Sequence, residues 1–167
     1  MTKRYDVELG EPNISDTIND AYLAGLFDAR GSFIICRYIG REQYIYRSQL
    51  CICVANEGLI RWLLDNNGGY LQKNKCPPSS RKSMFYWNVS TADQITLCNR
   101  ILPFLQGKRK ECECFMDFRK TFITTGAVKG HKGIKPLPDE ITKIRCSLWE
   151  TSKRLTKERV SNKKHVL

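Results

Sequence analysis

The sequence predicts an α+β domain in which two β-hairpins alternate with helices, in the order αββαββα, followed by one more, basic helix. Three observations predict it. Apolar residues recur at helical spacing in some stretches and at every second position in others, and the two kinds of stretch interleave along the chain. Glycine, asparagine and proline clusters punctuate the joins. The 167 residues, 41% hydrophobic and 27% charged, suit one domain with a real core, and too few remain for two.

Residues 1–15 read as an extended N-terminal extension. Ser15 or Asp16 can cap a helix in which Ile18, Tyr22, Leu23, Leu26 and Phe27 recur at helical spacing, ending near Gly31. Residues 32–39 are rich in strand formers, and residues 40–42 read as a turn. Residues 43–55 alternate, with Ser48, Leu50, Ile52 and Val54 on one face and Arg47, Gln49, Cys51 and Cys53 on the other. Residues 57–67 form an amphipathic helix closed by Asn66-Asn67-Gly68-Gly69. Residues 70–74 and 84–90 make the second hairpin, joined by a proline-containing loop over 75–83. Helices follow over 92–102 and 108–124. A glycine-rich linker spans 126–136, and a last helix over 137–159 opens on Pro138 and Asp139. Residues 161–167 read as a frayed basic tail. The domain is thus placed at 16–125, with 126–167 as linker, basic helix and tail.

Two hairpins among helices suggest one four-stranded antiparallel sheet, covered by helices on one side only. By alternation, the uncovered face presents Ser32, Ile34, Cys36 and Tyr38 from the first strand. The second strand adds Arg47, Gln49, Cys51 and Cys53, the third Gln72 and Asn74, and the fourth Tyr86 and Asn88. A one-residue slip in register would exchange any of these sets for its neighbours.

The formal net charge is +11, and it is unevenly spread: residues 1–20 carry −3, 21–105 carry +5 and 106–167 carry +9. Such an excess suits a polyanion, of which a phosphate backbone is the commonest. Lys108, Arg109 and Lys110 form one cluster, and Arg145, Lys153, Arg154, Lys157 and Arg159 lie along the last helix, where they could track phosphates. Ile141, Ile144, Leu148 and Leu155 give the same helix an apolar stripe for packing. The 8 cysteines sit mostly in apolar runs, as reduced buried thiols of an intracellular protein do. Cys51/Cys53 and Cys112/Cys114 lack the C-x-x-C spacing of a zinc knuckle. No stretch is long and apolar enough to suggest a membrane span, and the acidic N-terminus resembles no signal or transit peptide.

Residues 23–33 read Leu-Ala-Gly-Leu-Phe-Asp-Ala-Arg-Gly-Ser-Phe. This resembles the LAGLIDADG motif of homing endonucleases and intron maturases at eight of nine positions, counting Phe27 as a conservative change. The Gly-Ser-Phe that often trails the motif follows, and the resemblance spans about residues 16–125. One copy of the motif implies the homodimeric branch. There, two motif helices pack side by side, here through the small residues Ala24, Gly25 and Ala29, and the sheets form a nucleic-acid-binding saddle along the major groove.

The resemblance implies a catalytic acid at the eighth motif position, where two such carboxylates hold divalent metal for phosphodiester hydrolysis. This chain has Arg30 there. A guanidinium offers no oxygen, and a +1 charge about 4 Å from a +2 ion is repelled by roughly 8 kcal/mol at an effective dielectric of 20. Asp28 remains as a metal ligand if there is one, two residues earlier and turned elsewhere on the helix. Asn56 matches a family position near the metal-bound water, and equally suits a helix cap before Glu57. Lys108, after Pro103-Phe104-Leu105, matches a lysine that stabilises developing charge.

The expectation is therefore a nucleic-acid-binding protein derived from a LAGLIDADG nuclease with cleavage lost, needing no cofactor. It would bind structured RNA (intron or ribosomal) or DNA, as a homodimer or within an RNA–protein assembly, with Arg30 as a phosphate clamp. The alternative is an active homodimeric, Mg²⁺-dependent, site-specific DNA endonuclease. Resemblance alone implies an organellar setting such as a mitochondrion or plastid, or a phage or microbial one.

Overall fold

The computed structural model describes residues 4–5, 14–40, 43–74, 84–124 and 137–164. Its elements are β1 (Arg4–Tyr5), α1 (Ile14–Arg30), β2 (Gly31–Ile39), β3 (Tyr44–Val54), α2 (Glu57–Asn67), β4 (Gly69–Asn74), β5 (Met84–Asn88), α3 (Gln94–Ile101), a 3₁₀ turn (Leu102–Phe104), α4 (Arg109–Thr124) and α5 (Asp139–Lys164). The expected αββαββα order is present, with the four-stranded antiparallel sheet and the added C-terminal helix. The strand order is β1-β4-β5-β3-β2. The fifth strand, β1, comes from the N-terminal extension, where Arg4 and Tyr5 pair with Tyr70 and Gly69.

Several ends differ from the sequence reading. Helix α1 starts at Ile14, so Asp16 lies in its first turn, where a carboxylate complements the helix dipole. Helix α5 runs to Lys164, through part of the stretch expected to fray. The loop at 75–83, the linker at 126–136, the turn residues 41–42 and most of the N-terminal extension lie outside the described residues.

The chain divides into two compact units, residues 1–32 with 49–108 and residues 33–48 with 109–167. The C-terminal helix shares the second unit with α4.

In the first unit, α1 buries Leu23, Ala24 and Phe27, and the Phe27 ring meets Trp87 of β5 edge-on at 6.2 Å. Ile60, Leu63 and Leu64 bury one face of α2. The helix is capped at its start by Asn56, whose Oδ1 accepts from Leu59 N at 3.1 Å. It ends at Gly68, with φ 65° and an N–H donated to Leu64 O. Gly69 follows with φ 83°, a region costly for any residue with a Cβ. This double turn holds Gly68 O 2.7 Å from the buried Trp87 Nε1 donor. Asp20, on α1, is 6% exposed and receives Arg100 of α3, whose guanidinium also reaches Asn67 of α2. A part-buried ion pair thus joins α1 to α3, and the Arg100 bond to Asn67 brings in α2.

In the second unit, Phe115 and Phe118 of α4 meet Phe33 at 5.9 Å and Tyr46 at 6.3 Å. Helix α5 lies against α4 through polar as well as apolar contacts. Arg145 donates to Thr121 Oγ1 at 2.9 Å and covers the Phe122 ring at 3.9 Å. Arg159 pairs with Glu111 at 2.9 Å, and the Cys114 thiol donates to Leu148 O. Arg37 of β2 sits between two rings, 3.7 Å from the Trp149 centroid and 4.5 Å from that of Tyr44. Ile144, expected on the packing stripe, is 51% exposed; Arg145 occupies the buried position beside it.

Candidate nucleic-acid interface and the end of the motif helix

Helix α1 ends at Arg30, and Gly31 follows at once as the first residue of β2. A Cβ on Gly31 would collide with the Phe27 side chain, so only glycine allows this abrupt exit. The segment 106–108, just before α4, then closes on the helix end. Asp28 Oδ2 accepts Gln106 N at 2.8 Å, and its Oδ1 accepts Gly107 N at 3.1 Å and Lys108 N at 2.8 Å. In return, Lys108 Nζ donates to Phe27 O at 2.8 Å and Gly31 O at 2.6 Å. A carboxylate satisfies three backbone donors, and an ammonium satisfies carbonyls at the helix C-terminus, where the dipole favours positive charge.

This places the motif positions plainly. Asp28 turns toward 106–108 and spends both its oxygens there. Lys108 is 5% exposed, buried against the helix end rather than displayed with Arg109 and Lys110, both of which are exposed. Arg30 is exposed at the tip of the helix. Asn56 serves as the α2 cap. The donor set at this helix end fits a hard divalent cation poorly, because the Asp28 carboxylate already accepts three backbone amides and the eighth motif position has no oxygen. Among the described residues, no group of three or more His, Cys, Asp or Glu side chains is arranged to hold a metal ion.

The small-residue face of α1 needs correction. Ala24 is 0% exposed, packed in the chain's own core, and cannot meet a partner helix. Gly25 and Ala29 are exposed, and Ile18 and Tyr22 extend the same stripe in place of Ala24.

In the first unit, strand register places Cys51 opposite Asn88, Cys53 opposite Tyr86, and Gln72 and Asn74 opposite Tyr86 and Met84. These residues share one face, as alternation predicted, and Ile52, Trp87 and Phe85 take the other. Tyr70 and Met84 belong to the first set and were missed, although stepping back by two from Gln72 and Tyr86 reaches them. Cys51 is 4% and Asn88 1% exposed, so neither reaches a ligand. Asn88 Oδ1 instead accepts from Gln49 Nε2 at 2.9 Å, and its Nδ2 has no partner among the described residues. Burial pushes the Cys51 thiol up to about 11, with the neighbouring Cys53 adding to the shift. Gln72 is exposed and Ser32, Cys53 and Tyr86 are half-buried; the Asn74 side chain lies outside the described residues.

In the second unit, Phe33, Ile35 and Arg37 take the helix-facing side of β2, which leaves Ile34, Cys36 and Tyr38 on the other. Arg47 is exposed, with its guanidinium 5.7 Å from the Tyr38 ring centroid. A hydrogen bond with the Cys36 thiol raises the Tyr38 phenol above its ordinary value. On α5, Arg145 is buried and Arg159 paired, so neither lies on a solvated phosphate-tracking face. Burial lowers the Arg145 guanidinium from its ordinary value. Lys153, Arg154 and Lys157 are exposed, Arg154 beside Glu158 at 3.8 Å.

Against known proteins, no family model matches the chain, and no curated protein does. Solved structures do. The homing endonuclease I-CvuI, in complex with the I-CreI target, aligns with a TM-score of 0.55 and 18% identity over 81% of this chain and 98% of that one. The chain has the LAGLIDADG homing endonuclease fold. An archaeal intron-encoded homing endonuclease complexed with DNA gives 0.55 at 12% identity, over 78% of this chain and 96% of its own. The LAGLIDADG homing endonuclease I-GzeII, in complex with a DNA target, gives 0.60 at 19% identity, over 78% and 43%. The chain therefore spans nearly all of I-CvuI and less than half of I-GzeII.

Proposed function

We propose that this protein binds nucleic acid on a LAGLIDADG scaffold without cutting it. The observation that carries this reading is at the end of α1. The eighth motif position is an exposed Arg30, and the Asp28 carboxylate is taken by three backbone amides. Neither side chain offers a hard cation what the family's acid would, so no cofactor is needed. Arg30 instead presents an exposed guanidinium suited to bidentate contact with a phosphate. Net charge of +11 supplies the long-range attraction.

The partner is structured RNA, intron or ribosomal, or DNA. Two copies pair through the exposed stripe of Ile18, Tyr22, Gly25 and Ala29 on α1, unless the chain is held singly inside an RNA–protein assembly. Seven free thiols among the described residues suit a reducing, intracellular compartment, of which an organelle is one.

The solved LAGLIDADG structures favour one other reading, an active Mg²⁺-dependent DNA endonuclease. The experiment that separates the two starts with purification from the native source at low salt with nucleases inhibited, followed by sequencing of what copurifies. One enriched structured RNA supports the binding protein. An enriched DNA site cut in Mg²⁺ supports the endonuclease.

A further inference from the structure

The hairpin of the second unit is poorly equipped to read a stacked duplex. Reading base edges in a groove takes hydrogen-bonding side chains. Its open face carries few of them: Tyr38 from β2 and, by alternation, Arg47 from β3 stand beside the apolar Ile34, Cys36 and Ile45. The described residues of this hairpin, 33–40 and 43–48, contain two arginines and no carboxylate. Arg37 is held between Tyr44 and Trp149 on the opposite side, which leaves Arg47 as the cation of the open face among the described residues. Tyr38 is 51% exposed there, with Arg47 over its ring, and Ile39 beside it is 89% exposed. About half of this ring is left open to solvent on the strand. A flat aromatic face beside an unpaired cation matches what unpaired nucleotides require, a surface for the base and a charge for its phosphate.

We propose that Tyr38 and Arg47 form a stacking platform for a single unpaired base in an RNA loop, with Tyr38 under the base and Arg47 on the adjoining phosphate. This deepens the nucleic-acid reading above and rests on it. It commits to RNA because loops and bulges with splayed bases are standing features of folded RNA, whereas duplex DNA keeps its bases stacked.

The test uses the full chain and three probes: an RNA hairpin with 2-aminopurine in its loop, the fully paired RNA duplex of the same stem, and a DNA hairpin of the same loop. Wild type should bind the looped RNA tightest and quench the 2-aminopurine emission. Tyr38→Ala should lose at least about tenfold on the looped RNA, together with the quench, and little on the paired duplex. Tyr38→Phe should restore both, and Arg47→Gln should weaken binding while keeping the quench. Far-UV circular dichroism checks that each variant folds. Equal losses on looped and paired RNA, or no loss on Tyr38→Ala, would overturn the platform while leaving nucleic-acid binding intact. Equal affinity for the DNA hairpin would overturn the assignment to RNA. Failure of wild type to bind any probe would overturn the functional reading, and the platform with it.

Discussion

Asp28 and Lys108 hold each other's segments. The Asp28 carboxylate accepts the Lys108 backbone N–H at 2.8 Å, while the Lys108 ammonium donates to Phe27 O, one residue before Asp28. The end of the motif helix and the approach to α4 are thereby locked by reciprocal charge-assisted bonds. Two residues that the family resemblance marks for chemistry are engaged in holding Arg30's platform in place.

Asp28→Ala should therefore act as a stability mutation. It frees three backbone donors at once, and a loss of about 2–4 kcal/mol is expected. Asp28→Asn keeps one acceptor oxygen and should cost less. Urea unfolding of both variants checks the order; a neutral Asp28→Ala would show that the three bonds contribute nothing.

Lys108→Met keeps the stem's packing and removes the ammonium. Phe27 O of α1 and Gly31 O of β2 lose their donor, with an expected cost of about 1–3 kcal/mol. Binding of nucleic acid at a temperature where the variant is folded should change little, because Lys108 is 5% exposed. A large affinity loss in a folded Lys108→Met protein would return this residue to the binding surface.

Arg30→Asp should weaken binding and lower the salt dependence. Each lost phosphate contact reduces the slope of log K against log salt by about 0.9 on duplex DNA and about 0.7 on single strands. Titrations at several salt concentrations measure it. Unchanged or tighter binding would rule out the phosphate clamp.

Cys51 provides a pH signature. Burial holds its folded value at about 11 against an ordinary 9.0, so the folded state favours the neutral thiol. The resulting stability is complete below 9.0 and is lost as pH rises through about 11. Unfolding free energy should fall across that window in wild type and fall less in Cys51→Ala. Native alkylation followed by mass spectrometry should modify Cys51 later than the half-buried Cys36 and Cys146. Early modification of Cys51 would contradict its burial.

Much of the fold was legible because its signals are local. Alternation put Leu50 and Ile52 on one face of β3 and Cys51 and Cys53 on the other, and register with β5 agrees. Asn56 and Gly68 marked the ends of α2 through backbone donors and φ angles that those residue types suit. The site was less legible because it depends on contacts far apart in sequence. Nothing near Lys108 says that its ammonium will cap a helix ending some 78 residues earlier. Ala24 and Gly25 look alike as small residues, and only packing separates the buried one from the exposed one. Arg145 looked solvated for the same reason: a charge on a basic helix gives no hint that Thr121 and Phe122 will enclose it.

The most direct test of non-cutting recognition is to return the copurified nucleic acid to the purified protein in millimolar Mg²⁺ and resolve the products on native and denaturing gels. The account predicts a salt-sensitive shift on the native gel and full-length strands on the denaturing one. Mg²⁺-dependent cleavage at a defined site, abolished by a chelator, would contradict it.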